Sequence, residues 1–266
     1  MVFAGCDSDE SYAMRDKIDY LKKMKAFEGL AEHELCRLTK SADMLRCKRN
    51  TVVYVAHDPS DIVFVLCEGR VKLSRSSAEG REVVLDVLVT GELFGEMVIC
   101  GESLRTHSAV AIDDSLLCAL KRQDVEVVLQ ANPDLLMRIL CHVGDRCAEL
   151  ELRLEDQIFL PVEQRLLLTL FRQAGRHGER CVDGSVNVHL IQKDLAHLIG
   201  ASRETVAELL ATYKKKGVLQ TGYRTIKLLD MDAITTALSV EGACDSRNVP
   251  SYSCGRANSI GTLALQ

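Results

Sequence analysis

The spacing of hydrophobic positions changes along the chain, and each change predicts a different kind of element. Residues 17–42 are predicted to be helical, with apolar positions available for burial at Leu21, Met24, Leu35 and Leu38. After Asn50 the apolar runs become short, rich in Val, Leu and Ile, and separated by glycine turns, as is typical of strands. The predicted strands are 51–57, 62–67, 70–76, 82–89, 107–112 and 116–121. Many short strands at regular spacing predict a small β-sandwich or barrel.

A long helix is predicted to begin at Asn132-Pro133-Asp134, because proline is tolerated in a first helical turn. Its apolar residues are spaced alternately four and three apart, which forms a seam that repeats every seven residues. Such a seam is typical of a coiled coil between two chains and predicts a homodimer. The alternative is a seam that packs on the preceding β-domain. The seam residues are Leu136, Leu140, Val143, Cys147, Leu150 and Leu154.

Residues 190–219 predict two short amphipathic helices joined by a tight turn. Gly200 supplies permissive backbone at the corner, and Ser202 is a good N-cap for the second helix. The buried stripe of that helix is predicted at Val206, Leu209, Leu210 and Tyr213. Its other face is left free at the N-terminal half, where a helix-turn-helix reads DNA bases. An ordinary helical hairpin in a globular core is the alternative.

Charge is distributed unevenly between the two halves of the chain. The whole chain has a formal net charge of −5. Residues 161–229 nevertheless hold 11 Lys and Arg against 6 Asp and Glu, whereas residues 1–160 hold 20 against 28. This asymmetry predicts a module that faces the phosphates of double-stranded DNA, carried by an acidic regulatory one. The predicted DNA contacts are Gln192, Ser202, Arg203, Glu204, Glu208, Lys214 and Lys215, with Lys216 beside them.

A second cluster of polar residues lies between two predicted strands. It comprises Gly95, Glu96 and Met97, followed nine residues after the glutamate by Arg105 and Thr106. Backbone amides, an arginine and a hydroxyl form a plausible anion cradle, and the arginine fork suits a phosphate. A carboxylate beside it can accept from a ribose hydroxyl. The cluster therefore predicts a sugar-phosphate site; the alternative is a surface ion pair of little energetic value.

The order of these elements, with FGEM…RTHSAVA and LIQKDLAHLIGASRETVAELL, resembles the CRP/FNR family of bacterial transcription regulators over about residues 20–235. Also similar are EGRVKL at 68–73, GREVVL at 80–85 and NPDLLMR at 132–138. The resemblance implies an α+β fold with an N-terminal cyclic-nucleotide-binding β-roll, a long dimerisation helix and a C-terminal winged helix-turn-helix. It implies that Glu96 binds the ribose, that Arg105 and Thr106 bind the cyclic phosphate, and that Arg146 lies close to the nucleotide.

The resemblance also implies that Arg203, Glu204 and Glu208 occupy base-reading positions. Members that respond to cyclic AMP carry a Thr-Ser pair on the long helix that touches adenine, whereas this chain has Leu150-Glu151 there. Leu150 cannot hydrogen-bond the adenine amino group, although Glu151 could accept from it. We therefore expect cyclic AMP or another cyclic nucleotide as effector, and activity without ligand stays open. At Glu208 those members have an arginine, so we expect a different operator.

The predicted organisation has five segments. Residues 1–16 form a flexible N-terminus, 17–131 the effector-binding β-roll domain and 132–160 the dimerisation helix. Residues 161–235 form the winged helix-turn-helix domain, with strands at 186–189 and 223–229, and 236–266 form a flexible tail. We expect a cytoplasmic protein, since the sequence has no spanning segment and its acidic N-terminus does not resemble a signal peptide. We also expect RNA polymerase as a further partner.

Other chemistries have weaker support in the sequence. The eleven cysteines are scattered without CxxC pairs, which favours reduced thiols and predicts no metal site. An interchain disulfide at Cys147 is less expected than a buried thiol. Haem sensing of redox state or gas stays an alternative, on His107, His142, Cys100 and Cys141. No enzyme motif is present, so no catalytic activity is expected. The remaining alternative is a nucleotide-binding module that acts only on protein partners.

Overall fold

The short apolar runs of the N-terminal half pair as antiparallel strands in two sheets. The computed structural model describes residues 6–240, which divide into two compact units between Ile139 and Leu140. The strands of the first unit are β1 Cys6–Ser8, β2 Asp43–Cys47, β3 Val52–Tyr54, β4 Ile62–Glu68, β5 Arg70–Ser76, β6 Glu82–Val89, β7 Leu93–Phe94, β8 Ser108–Ala111 and β9 Ser115–Lys121. All six strands predicted from apolar spacing are therefore present.

The strands form one sheet in the order β1-β2-β9-β4-β7 and another in the order β3-β8-β5-β6. Side chains of both sheets share one core, which includes Leu45, Phe64, Leu66, Leu73, Leu88 and Leu117. This arrangement confirms the predicted small β-sandwich. Strands β1, β2 and β7 were not predicted, because β7 has only two residues and β2 is interrupted by charged side chains at Asp43 and Arg46.

The helix predicted over 17–42 is replaced by two shorter helices, and a third helix of the first unit was not predicted. They are α1 Met14–Lys22, α2 Glu32–Lys40 and α3 Arg122–Ala131. The single helix expected over 17–42 is divided, since Gly29 has a φ of 80°, which no helical residue adopts. A 3-10 turn at Lys25–Phe27 precedes the break. Leu21, Phe27, Leu35, Val125 and Leu129 bury a second core against the first sheet.

The N-terminal segment corrects two expectations. Residues 6–16 of the predicted flexible segment form regular structure: β1 pairs with β2, Asp9 forms an ion pair with Arg46, and α1 begins at Met14. Residues 1–5 of that segment lie outside the described residues. Cys6 lies directly opposite Cys47 and the two form a disulfide. The expectation of free thiols is therefore wrong for this pair, which lies 41 residues apart in sequence and is brought together only by strand register.

Helix α4, Pro133–Phe159, begins at the predicted proline and ends just before Pro161. At its start, Leu135 and Ile139 pack into the core of the first unit. The predicted seam lies on a different face, and Leu154 is 62% exposed. Val143 is half-buried, and the remaining seam residues, Leu136, Leu140, Cys147 and Leu150, are also exposed. The pairing of this seam with a second chain stays a prediction.

The second unit contains α5 Val162–His177, β10 Glu179–Arg180, β11 Val186–Val188, α6 Gln192–Ile199, α7 Arg203–Lys215, β12 Leu219–Gly222, β13 Thr225–Leu228 and α8 Met231–Val240. The strands form a sheet in the order β10-β11-β13-β12. Helices α6 and α7 are the predicted helix-turn-helix, and β12 with β13 forms the predicted wing. Residues 236–240 were predicted to belong to a flexible tail, but they lie in helix α8. The rest of that predicted tail, 241–266, lies outside the described residues.

Across residues 6–240, each helix is too short or too polar to span a lipid bilayer.

Candidate effector and DNA sites

The turn after β7 positions the first half of the candidate effector site. Gly95 has a φ of 75° and leads into a single 3-10 turn, Glu96–Val98. A Cβ at Gly95 would lie 2.5 Å from Nη1 of Arg105, so the position needs glycine for both its conformation and its close contact. Glu96 is only 3% exposed. The carboxylate is therefore held inside the roll rather than at its surface.

Arg105 supplies the second half of the site and is 6% exposed. Its Nη2 donates to the carbonyl of Ile62 at 2.8 Å, and its Nη1 donates to the carbonyl of Gly95 at 3.3 Å. The guanidinium carbon lies 4.3 Å from the ring centroid of Tyr54 and 5.2 Å from that of Phe64. These contacts fix a buried cation in place, unlike the surface ion pair considered as an alternative.

Burial is the main influence on the electrostatics of this arginine. It lowers the pKa of Arg105, while the nearby Tyr54, Asp61 and Glu96 act in the opposite direction. Arginine still remains protonated in proteins, so the charge is retained. A positive charge in a desolvated site attracts an anion more strongly than the same charge in water. The site is thus suited to a small anionic ligand.

Thr106 and His107 continue the site along the chain. The half-buried Thr106 places its hydroxyl 2.9 Å from Nδ1 of His107, and the Tyr54 hydroxyl lies 3.2 Å from Nε2 of the same ring. Both ring nitrogens are therefore engaged, which disfavours His107 as a haem ligand. Cys100 is exposed. Among the residues that the structure describes, no three His, Cys, Asp or Glu side chains are grouped to hold a metal ion.

The structure brings only part of the predicted effector set together. Gly95, Glu96, Arg105 and Thr106 share the first unit, and Met97 lies half-buried in the 3-10 turn. Arg146, Leu150 and Glu151 lie on α4 in the second unit, so their part in the site stays a prediction.

Two buried residues of the β-roll were not identified from the sequence. Tyr54 supports the Arg105 guanidinium, and Asp86 lies buried in β6. The sequence could have identified Asp86, because it is the single charged residue within the apolar run VVLDVLV. No sequence pattern identified Tyr54, since its contact with Arg105 depends on the pairing of β3 with a strand far along the chain.

The helix-turn-helix forms as its sequence predicts. Gly200 ends α6 with a φ of 63°, and Ser202 caps α7 by accepting the backbone N–H of Thr205 at 3.1 Å. Val206, Leu210 and Tyr213 are buried, and Leu209 is half-buried. This confirms the apolar stripe, which fixes the face that α7 presents to solvent.

The exposed face of α7 carries the predicted base-reading residues. Arg203, Glu204 and Glu208 are all exposed, as is Gln192 at the start of α6. Hydrogen bonds from its own backbone and from Ser202 lower the pKa of Glu204, so this carboxylate is ionised at neutral pH. Lysines 214–216 are exposed at the end of the helix. The wing tip adds the exposed Tyr223 to the same unit.

Comparison with known proteins assigns the two units to two domain families. Residues 44–132 match the cyclic nucleotide-binding domain, and residues 164–236 match the Crp-like helix-turn-helix domain. The chain is 27% identical over 218 residues to a CRP-like cAMP-activated global transcriptional regulator of Mycobacterium tuberculosis, covering 81% of this chain and 97% of the relative. It is 29% identical over 212 residues to the cyclic AMP receptor protein of Thermus thermophilus, covering 78% and 94%.

A solved structure supports the same fold. The c-di-GMP-responsive global regulator of Xanthomonas campestris aligns with a TM-score of 0.65 at 20% identity, covering 76% of this chain and all of that one. At this identity the similarity concerns the fold alone.

Proposed function

The chain belongs to the CRP/FNR family of DNA-binding transcription regulators, and we propose that a cyclic nucleotide bound in its β-roll controls its affinity for DNA. The family's members are regulators and not enzymes. The observation that carries the proposal is the buried Arg105, held beside the Gly95–Glu96 turn within the matched nucleotide-binding domain.

The proposed ligand contacts follow from the chemistry of the site. The Arg105 guanidinium binds the cyclic phosphate, because charge-assisted hydrogen bonds are strongest where water is excluded. The Thr106 hydroxyl donates to the same phosphate, and the Glu96 carboxylate accepts from the ribose hydroxyl. The two named relatives respond to cyclic AMP, whereas the named structure responds to a guanine dinucleotide, so the comparisons do not decide the base.

We propose that the ligand acts by shifting an equilibrium between two arrangements of the DNA-binding units. In the competent arrangement, two recognition helices enter successive major grooves, with Arg203, Glu204 and Glu208 facing bases. The lysines at the end of α7 bind phosphates. The exposure of all these side chains supports DNA as the partner over a protein-only role. We further propose RNA polymerase as a partner and the cytoplasm as the site of action.

The exposed seam of α4 supports a homodimer. Apolar side chains at heptad spacing gain stability by packing against an identical seam, which buries the surface that a single chain leaves in water. A symmetric dimer also suits the paired half-sites of a helix-turn-helix regulator.

The dimer is tested by sedimentation of the full chain and two variants. Leu154→Glu places a charge in the seam and is expected to yield a single-chain mass of 29.4 kDa. Ala148→Glu adds the same charge at an exposed position outside the seam and is expected to leave the dimer intact. A monomeric wild-type chain at micromolar concentration would refute the dimer.

The nucleotide site is tested by calorimetric titration of the full chain with cyclic AMP and cyclic GMP. Wild-type protein is expected to bind at least one of them, and Arg105→Leu is expected to lose binding while remaining folded. Arg37→Leu removes a solvent-exposed arginine from α2 and serves as the control. Operator binding measured with and without nucleotide then tests the coupling. Unchanged nucleotide affinity in Arg105→Leu would contradict the proposal that Arg105 binds the phosphate.

A further inference from the structure

The disulfide between Cys6 and Cys47 attaches the edge strand β1 to the roll. This strand lies at one end of its sheet and pairs with β2 over three residues. Two of these, Asp7 and Ser8, are exposed, so the strand contributes little apolar surface to the core. Cys6 is half-buried and packs against the core that includes Cys47. The covalent bond therefore reinforces a strand pairing that burial alone supports weakly.

The residues that follow β1 add contacts at the protein surface. The backbone N–H of Asp9 donates to the carbonyl of Met44 at 2.8 Å, and its carboxylate pairs with Arg46, whose side chain is 59% exposed. Nη2 of Arg46 donates to the Tyr12 hydroxyl at 2.8 Å. Exposed ion pairs contribute little to stability because water and salt screen them. Cleavage of the S–S bond is thus expected to free β1 while both cores of the first unit stay packed.

The two halves of the disulfide differ in their access to solvent. Cys47 is 2% exposed, whereas Cys6 is half-buried. A cleft of about 390 Å³ adjoins the bond, and residues of both strands line it, among them Asp7, Ser8 and Cys47. Disulfides that are open to solvent are the ones that thiols reduce most readily. Cys6 is therefore the half of the bond that is more open to an outside thiolate.

We propose that Cys6 and Cys47 form a redox-active disulfide, which a cytoplasmic dithiol reduces in the folded protein and which thereby controls the attachment of β1. A disulfide in a reducing compartment is usually transient or redox-sensing rather than structural. The inference takes the cytoplasmic location from the proposed function, but it does not depend on the nucleotide site.

Reduction proceeds by two successive thiol–disulfide exchanges. A thiolate of the dithiol attacks the Cys6 sulfur and forms a mixed disulfide, while the Cys47 sulfur leaves with the electron pair of the S–S bond and takes up a proton. The second thiolate of the dithiol then attacks the sulfur of the first, and Cys6 leaves and is protonated in turn. The protein gains two thiols and the dithiol becomes a disulfide. Once β1 is released, β2 becomes the edge of the sheet, with backbone groups open to water or to another strand.

Two other cysteines of the first unit are protected from this exchange. Cys67 and Cys118 are both buried. Burial raises the pKa of the Cys118 thiol to about 12 and also raises the pKa of Cys67. Because the thiolate is the reactive form, these two thiols are inert at neutral pH and do not divert Cys6 or Cys47 into other pairs.

Differential alkylation of the native, full-length protein tests the redox step. Protein oxidised with glutathione disulfide is treated with dithiothreitol in the absence of denaturant, and peptide mapping measures the thiol content at Cys6 and Cys47. Both positions are expected to become alkylated while the far-UV circular dichroism spectrum is unchanged. Reduction that occurs only after denaturation would identify a structural crosslink and overturn the proposal. Failure of the oxidised protein to form this pair would overturn it as well.

Hydrogen exchange of the same samples tests the release of β1. Reduction is expected to accelerate amide exchange at residues 6–9 and 43–47 by about tenfold or more, with β5 unchanged, as in the local opening of one element. Cys6→Ser is expected to exchange like the reduced protein even under oxidising conditions. Cys181→Ser removes a half-buried free thiol from the second unit and is expected to respond like wild type.

Protection that is unchanged by reduction and in Cys6→Ser would show that β1 stays paired without the bond, which overturns the proposal. Accelerated exchange in both, with wild-type behaviour in Cys181→Ser, supports it. Neither measurement contains a nucleotide, so failure of the proposed nucleotide site and failure of this inference are observed separately.

Discussion

In the β-roll, Glu96, Arg105 and Asp86 are charged side chains turned into the protein, whereas in the helix-turn-helix Arg203, Glu204 and Glu208 lie in water. The residue types are the same in both regions. A small anion can enter a desolvated site, where one arginine is enough to hold it. DNA stays outside the protein, so its contacts must be spread over an exposed face and compete with salt. Buried charges thus suit the proposed small effector, whereas exposed charges suit DNA.

The second unit also buries several charged side chains. Arg172 of α5 and Asp156 of α4 form a buried ion pair, with side chains 2% and 8% exposed. Here the buried charges satisfy each other, whereas Arg105 in the roll donates to backbone carbonyls. The pair therefore joins α4 to α5 within the unit and offers no ligand site.

Removal of one partner of this pair is expected to give the largest effect. Arg172→Met leaves a buried carboxylate without its cation and is expected to lower the free energy of unfolding by about 3–5 kcal/mol near pH 7. Denaturant unfolding followed by circular dichroism measures the change. Arg180→Met, which removes an exposed arginine from β10, is the control and is expected to be nearly neutral.

The loss of stability in Arg172→Met is expected to depend on pH. Burial raises the pKa of Asp156, and the hydrogen bond from Arg172 acts against that rise, so the pKa rises further in Arg172→Met. A raised carboxylate pKa means that the folded state binds a proton more readily than the unfolded state, and stability is lost as pH rises through the folded value. The deficit of Arg172→Met is therefore expected to shrink toward about pH 4. A deficit that is independent of pH would contradict this account.

The exposed face was the more predictable of the two regions. In α7, spacing along thirteen consecutive residues defines the buried stripe and hence the free face, and Ser202 marks where the helix begins. Each signal lies within a few residues of the element that it determines. The sequence therefore sufficed to place Arg203 and Glu208 at the surface.

The enclosed site could be predicted only in part. Gly95, Glu96 and Arg105 form a local sequence pattern, and the structure places Arg105 in contact with Gly95. Tyr54 reaches Arg105 through the pairing of β3 with β8, which joins segments dozens of residues apart, and no local spacing encodes register. The disulfide of Cys6 with Cys47 was missed for the same reason.

The candidate effector site of the β-roll is tested by substituting two glycines that both have positive φ. Gly95→Ala is expected to weaken nucleotide binding about tenfold to a hundredfold, the loss expected when a charged hydrogen bond is displaced. Its Cβ would lie 2.5 Å from Arg105 Nη1. Gly101→Ala suffers comparable backbone strain, at φ 97°, but its Cβ meets nothing within 4 Å. Calorimetric titration should therefore separate the two variants; equal affinities would show that the clash does not matter.

The DNA side is tested by selectivity and by salt. Arg203→Ala is expected to weaken specific operator binding about tenfold and to relax discrimination at one base pair. Lys215→Ala is instead expected to weaken all sequences alike and to reduce the slope of log affinity against log salt by about one. Fluorescence anisotropy over a salt series measures both. If Arg203→Ala lost affinity equally for operator and random DNA, Arg203 would be a phosphate contact.

The smallest expected effect concerns the residue that begins the recognition helix. Ser202→Ala removes the hydroxyl that accepts the Thr205 N–H and is expected to cost about 1 kcal/mol of unfolding free energy. Ser202→Asp keeps an acceptor at the cap and should restore stability. The same substitution adds a negative charge at the proposed DNA surface, so it should also weaken operator binding. Rescue of stability together with loss of binding would separate capping from contact with DNA, whereas recovery of both would remove Ser202 from the DNA interface.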